Sequence, residues 1–224
     1  MIRAKISKVL IYTVLILGSL ASIFPFFWLI RSSLMSTAQI FQLPPIWIPK
    51  PFIFSNYLEP FKILPFAKYY INSAVIVSSV LVGVLISSSL SAYSFARLKW
   101  KWRDRVFYII LSSMMLPYAV TMIPTFIGWN ALGLVNTYSP LIIPAYFGGG
   151  AFNVFLVRQF LLSIPKELDE AAYIDGASKL KIFIKIILPL SKSALIVVGI
   201  FTFVNTWNDF LAPLIYLNSE HRFT

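Results

Sequence analysis

The chain has 224 residues, 58% of them hydrophobic and 12% charged, with a formal net charge of +11 and a mean hydropathy of +0.80. Soluble domains hold roughly 45–50% apolar and about 25% charged residues, and no core of this size hides so much apolar surface, so a water-soluble fold is excluded. In so apolar a chain the basic surplus reads as lysines and arginines flanking membrane spans, not as a nucleic-acid surface.

A bilayer core of roughly 30 Å takes about 20 apolar helical residues, and five segments qualify. Residues 9–30 carry no charge. They follow a basic start, Arg3, Lys5 and Lys8, as in a signal peptide. The apolar run exceeds the roughly 7–15 residues of a signal core, and no small-residue cleavage site follows, so an uncleaved anchor is expected. A loop with Pro44, Pro45, Trp47, Pro49 and Pro51 comes next, read as a stiff segment at the membrane surface or as a contact for a soluble binding protein. Residues 69–96 are uncharged between Lys68 and Arg97, and residues 106–157 form a run of 52 without a charge. That run is long enough for two crossings. It divides at Gly133, Asn136 and Pro140, all turn formers, into spans at 106–130 and 139–157. The last span covers 193–217 and is interrupted by Asp209 alone. Pro25, Pro117, Pro124, Pro144 and Pro213 lie in or beside spans, where neighbouring groups must satisfy the freed carbonyls. Gly148, Gly149 and Gly150 lie inside the fourth span and read either as close helix packing or as a hinge.

Basic residues set the orientation. The N-terminal tail, the segment 97–105 and the segment 158–192 fall on one side and hold 14 of the 19 lysines and arginines. The positive-inside rule puts that side, and the N-terminus, in the cytoplasm. Five crossings leave the C-terminus outside, so a sixth, returning span is expected beyond Thr224.

The segment 163–190 is the most informative. Ser163 suits a helix cap and Pro165 a first turn. Glu167, Asp169 and Glu170 crowd that turn, where the helix dipole favours them. Gly176 suits a left-handed stop. A second helix begins near Ser178, with Leu180, Phe183, Ile184 and Ile187 spaced as one apolar stripe, and Pro189 ends or kinks it. Lipid phosphates explain the lysines of the second helix. They do not explain four carboxylates within nine residues beside an anionic membrane, which point to a protein partner with a basic rim.

The stretch EAAYIDGASKLKIFIKIILP resembles the signature of binding-protein-dependent ABC importer permeases: Glu-Ala-Ala, three residues, Gly, nine residues, Ile, one residue, Leu-Pro. Here these are Glu170, Ala171, Ala172, Gly176, Ile186, Leu188 and Pro189, with no departure in spacing. WIPKPFIFSNYLEPF, INSAVIV, SAYSFARLKWKWRD, MLPYAVTMIPTF and NTWNDFLAPLIYL look like the carbohydrate branch of the family. The resemblance implies an all-α polytopic bundle of the type I importer permease fold, with five of six spans visible. Residues 1–66 would form the first helix and outer loop. Residues 67–224 would form the transport core, with the hairpin at 158–190. It also implies a coupling helix seated on a separate ATPase, carried by Glu170, Ala171, Ala172, Asp175, Gly176 and Leu180. The implied partners are a second permease subunit, two ABC ATPases, an extracytoplasmic solute-binding protein and membrane lipid. The setting is the plasma membrane of a prokaryote. The cargo would be a sugar or oligosaccharide, with a non-sugar solute as the alternative.

Other chemistries lack their residues. No glycine is followed by lysine, so a phosphate-binding loop is missing and hydrolysis falls to a partner. His221 is the sole histidine and cysteine is absent, which argues against triads, thiolate sites and imidazole clusters. No enzyme site, metal or cofactor is expected. An ion-coupled carrier, the rival reading, needs carboxylates within its spans. Asp209, 17 residues past Lys192, lies roughly 25 Å along a helix, near the outer interface. Asn205, Trp207, Asn208 and Asp209 are candidates for the translocation path, and Trp207 reads equally as an interface anchor.

Overall fold

The computed structural model describes residues 2–224, with side chains from residue 8 onward. The chain divides into two compact units, Met1–Phe66 and Ala67–Thr224. Among the described residues every regular element is helical.

In the first unit one helix, Ile2–Ser33, carries Pro25 within it. Its apolar stretch Lys8–Ser33 buries none of its most hydrophobic window. Near its end Arg31 lies over Trp28, 4.2 Å from the ring centroid, and is 5% exposed. The loop beyond is built from local caps. Ser36 and Gln39 close a capping box on Thr37–Ile40. Asn56 Nδ2 donates to the carbonyls of Ser33 and Met35.

The second unit is organised around the 32-residue helix Phe66–Arg97. Ile76, Val80 and Val84, then Ala92 and Ala96, recur at four-residue steps and are buried, so one face of the helix meets the core. Opposite it lies Ala151–Ser163, whose Val154, Val157 and Leu161 are at most 1% exposed. Helix Lys192–Trp207 packs on the same element, with Phe152 and Phe201 edge to face at 6.2 Å. Among the described residues three helices are long and apolar enough to cross a membrane: Lys8–Ser33, Phe66–Arg97 and Ser139–Ser163. Two bent pairs bring the number of crossings to as many as five. Arg103–Met115 and Tyr118–Ala131 meet at 103°, Lys179–Leu190 and Lys192–Trp207 at 75°. Pro117 sits at the first break, Pro189 just before the second.

The expected span 193–217 is not one helix. It stops at Trp207, where Asn208 Nδ2 donates to the Val204 carbonyl. Leu211–Tyr216 starts afresh, and Asp209 Oδ1 accepts from the Ala212 amide. The fourth span is also broken. Gly148, Gly149 and Gly150 all have positive φ. At Gly149 a Cβ would fall 2.7 Å from Ser88 N and Cβ, so the glycine serves a turn and a close approach together. The interrupted ladder is repaired by side chains, as a membrane interior demands. Ser87 Oγ lies 2.7 Å from the Ala145 carbonyl, and Asn153 Nδ2 donates to the Gly149 carbonyl.

Candidate functional site

Two places combine chemistry with exposure: the hairpin after Ser163 and a largely apolar cavity that Asp209 reaches.

The hairpin begins one turn later than its sequence suggests. Ser163 closes the preceding helix and its hydroxyl bonds backward to the Phe160 carbonyl. Lys166 takes the N-cap place of helix Glu167–Ile174, with no side-chain cap. Glu167, Asp169 and Glu170 occupy its first turn, where the helix dipole stabilises them. Asp175 ends it and Gly176 turns the chain at φ 79°. Ser178 caps the second helix by accepting from the Lys181 amide.

The second helix departs from a simple stripe. Residues Phe183–Ile187 form a π-helical turn, and the buried residues are Ile182, Phe183 and Ile187. Leu180 and Ile184 stay exposed at 61% and 47%. Pro189 supplies no N–H to the carbonyl of Lys185, four residues back, and the wide turn sits where that ladder is interrupted.

The tip of the hairpin presents Tyr173 at 68% and Ile174 at 84% exposed, with Leu180 beside them in sequence terms just past the turn. Glu170, Ala171 and Asp175 are exposed, while Ala172 is half-buried against the core. Among the described residues Glu170 has no cation within ion-pairing distance. An apolar tip with an unpaired carboxylate is a surface suited to another protein.

What holds this tip is a clasp that sequence reasoning did not identify. Tyr93 and Arg97 stand four residues apart on the long helix. Tyr93 Oη donates to the Lys179 carbonyl at 3.1 Å, and its ring lies 5.0 Å from Phe183. Arg97 Nη2 donates to the carbonyls of Leu161 and Ile164 at 2.8 and 2.7 Å. Those carbonyls belong to the end of Ala151–Ser163 and the residue after it, where helices leave acceptors unsatisfied. Arg97 Nη1 also faces Asp169 Oδ2 at 3.4 Å, with the arginine side chain 3% and the aspartate 21% exposed. Burial pushes the Asp169 carboxyl above its ordinary range, and the nearby Arg97 only partly offsets this. One readable signal existed: the i, i+4 spacing of Tyr93 and Arg97 puts both on one face.

At the other candidate site, a cavity of about 300 Å³ is lined by Tyr118, Thr125, Trp129, Thr206 and Asp209 among apolar residues. Trp207 and Asn208 do not reach it. They share with Asp209 a second cavity of about 470 Å³ beside Tyr69. Trp207 stacks on Phe203 at 5.7 Å. Asn205 is exposed and lines neither cavity. Tyr118, Thr125, Trp129 and Thr206 were not singled out in sequence, because polar residues in an uncharged run carry no periodic signal.

A family model described as "Binding-protein-dependent transport system inner membrane component" matches residues 83–221. The chain is 32% identical over 209 residues to the diacetylchitobiose uptake system permease protein NgcG of Streptomyces coelicolor, covering 93% of this chain and 68% of that one. It is 33% identical over 210 residues to the sn-glycerol-3-phosphate transport system permease protein UgpE of Yersinia pestis, covering 91% and 74%. Its fold is similar to a chain in the crystal structure of a bacterial ABC transporter involved in the import of the acidic polysaccharide alginate. That match has a TM-score of 0.85 and 26% identity, and covers 97% of this chain and 76% of the other.

Proposed function

The chain belongs to the family of binding-protein-dependent transport system inner membrane components, and from that membership we propose how its hairpin and cavity work. It is a transmembrane permease subunit of an ATP-driven ABC importer of the plasma membrane, and it acts with ATPase and solute-binding partners. In our reading it pairs with a second permease and two ATPase subunits, which carry out the hydrolysis. Its N-terminus and hairpin face the cytoplasm, a placement supported by the 14 of 19 basic residues gathered on that side.

The exposed hairpin tip is the observation that carries the coupling role. Ile174, 84% exposed, is the kind of residue that a partner's cleft covers. Glu170 pairs there with a basic residue of the ATPase, the two alanines allow close approach, and Gly176 reverses the chain. Asp175 and Leu180 flank the contact. ATP-driven closure of the ATPases moves the hairpin as a rigid body and rocks the spans between inward-open and outward-open states.

The cargo is a sugar or oligosaccharide. Proteins similar to this chain handle diacetylchitobiose, sn-glycerol-3-phosphate and alginate, each bearing free hydroxyl groups. The cavity beside Asp209 supports the same class: aromatic faces at Tyr118 and Trp129 suit sugar C–H surfaces, and Asp209, Thr125 and Thr206 supply acceptors. Asn205, Trp207 and Asn208 belong to the approach to that cavity.

The test uses the assembled complex in liposomes. Solute and binding protein together should stimulate ATP hydrolysis. A Glu170→Lys change places like charges together and leaves a desolvated partner unpaired, so stimulation and transport should be lost while assembly is weakened. Normal hydrolysis and transport by that variant would remove the coupling role.

A further inference from the structure

On the face that carries the hairpin, a recess of about 480 Å³ lies between the end of Phe66–Arg97 and the start of Arg103–Met115. Lys99 and Lys101 line it from the connecting segment, Arg105 from the first turn of Arg103–Met115, and Lys166 reaches it from the N-cap of the hairpin helix. The fifth cation, Arg103, is already engaged. It holds Asp104 through Nε at 2.9 Å and Nη2 at 3.3 Å. Asp104 is the one carboxylate in the lining, so its charge is spent on Arg103. Among the described residues the other four cations have no carboxylate within 4.0 Å. The recess therefore keeps an uncompensated positive charge that invites an anion.

Its depth says which anion. Trp100 and Trp102 are 39% and 49% exposed at this end of the spans. Tryptophan at a span end sits at the headgroup level of a bilayer. The Trp102 ring is fixed beneath Arg105 at 4.7 Å, with Lys101 at 5.8 Å, which turns both cations along the same ring. A basic recess between spans at headgroup depth is built for a lipid phosphate.

We propose that Lys99, Lys101, Arg105 and Lys166 form a binding site for the phosphodiester headgroup of an anionic phospholipid, which joins the hairpin's first helix to the connecting segment. None of these four cations is among the residues assigned to the ATPase contact, although Lys166 stands one helical turn before Glu170, whose amide donates to its carbonyl.

The assembled complex, reconstituted in phosphatidylcholine with added phosphatidylglycerol, is extracted gently and its retained lipid measured by native mass spectrometry. The variants are Lys99→Gln/Lys101→Gln and Lys166→Gln, with Lys181→Gln on the second hairpin helix as control. Each neutralised lining cation should lower retained phosphatidylglycerol about fivefold. Lys181→Gln should leave it unchanged, ATPase co-purification should persist in all variants, and added inorganic phosphate should not displace the lipid. Unchanged retention in the lining variants would overturn the site, as would an equal loss in Lys181→Gln. Displacement by inorganic phosphate would mean a free-phosphate site, and loss of the ATPase with lipid retained would mean a protein contact. Either result rejects the lipid assignment without touching the role of Glu170.

Discussion

Exchanging Arg97 for Met separates two jobs that one guanidinium performs. Its Nη2 closes the end of helix Ala151–Ser163 through the Leu161 and Ile164 carbonyls, and its Nη1 faces Asp169. Hydrogen bonds from a charged donor contribute about 1.5–3 kcal/mol each. Losing both, while Met keeps most of the buried stem, should cost about 3–6 kcal/mol. Asp169→Asn should behave differently. Burial raises the Asp169 carboxyl pKa even with Arg97 beside it, so the ionised form is less favourable in the folded protein than in the unfolded chain. A neutral amide of the same shape removes that penalty and still offers Nη1 an acceptor, so the variant should stay within about 1 kcal/mol of wild type. The pH dependence has a definite sign. A carboxyl whose folded pKa is raised contributes stability below its unfolded pKa, and that contribution fades as pH rises through the folded value. The difference between wild type and Asp169→Asn should therefore narrow on acidification toward the carboxylate range. Thermal unfolding of the solubilised complex reads the stabilities, and solute moved per ATP in liposomes reads the coupling. Arg97→Met should lose both, because the hairpin slackens against the long helix. If Asp169→Asn costs as much as Arg97→Met, the ion pair holds the hairpin and the capping argument fails.

Two further outcomes follow from packing and from the cavity. Gly149→Ala puts a Cβ 2.7 Å from the Ser88 backbone at φ 64°, and should lose about 2–5 kcal/mol from left-handed strain and overpacking together. Gly148→Ala meets nothing within 4 Å and should lose about 1–2 kcal/mol from strain alone; equal losses in complex yield and melting would show that the Ser88 contact is not limiting. Trp129→Ala should raise the apparent KM for solute about fivefold with assembly intact, for an aromatic face worth roughly 1 kcal/mol. Asp209→Asn should keep the acceptor for the Ala212 amide and melt as wild type while uptake falls. Unchanged uptake in both cavity variants would send the solute elsewhere.

Sequence pattern revealed what is local and missed what is distant. The uncharged run 69–96 located the long helix to within three residues at its start and one at its end, since Lys68 and Arg97 bound the apolar stretch and the observed helix is Phe66–Arg97. The run 193–217 was equally apolar, yet its helix ends at Trp207, because apolarity reports where lipid is tolerated and not where the backbone turns. The turn is set by Asn208 and Asp209, whose side chains bond to the backbone four residues before and three after. Ser163 has the chemistry of a start cap and ends a helix instead, because its hydroxyl found a carbonyl behind it before an amide ahead.

The hairpin shows the same division within one site. Its Glu-Ala-Ala, Gly and Leu-Pro positions lie within 20 residues, so spacing alone exposes them. The clasp that orients it joins Arg97 to Leu161 and Ile164 across 64 and 67 residues, and Tyr93 to Lys179 across 86. A periodic pattern can put Tyr93 and Arg97 on one face but cannot say which carbonyls wait opposite. The proposed coupling surface is therefore written in a contiguous motif, while the bonds that hold it against the long helix are written in pairs that meet only after folding. A lever needs both, and substitutions at Arg97 should uncouple transport from hydrolysis while leaving every motif residue in place.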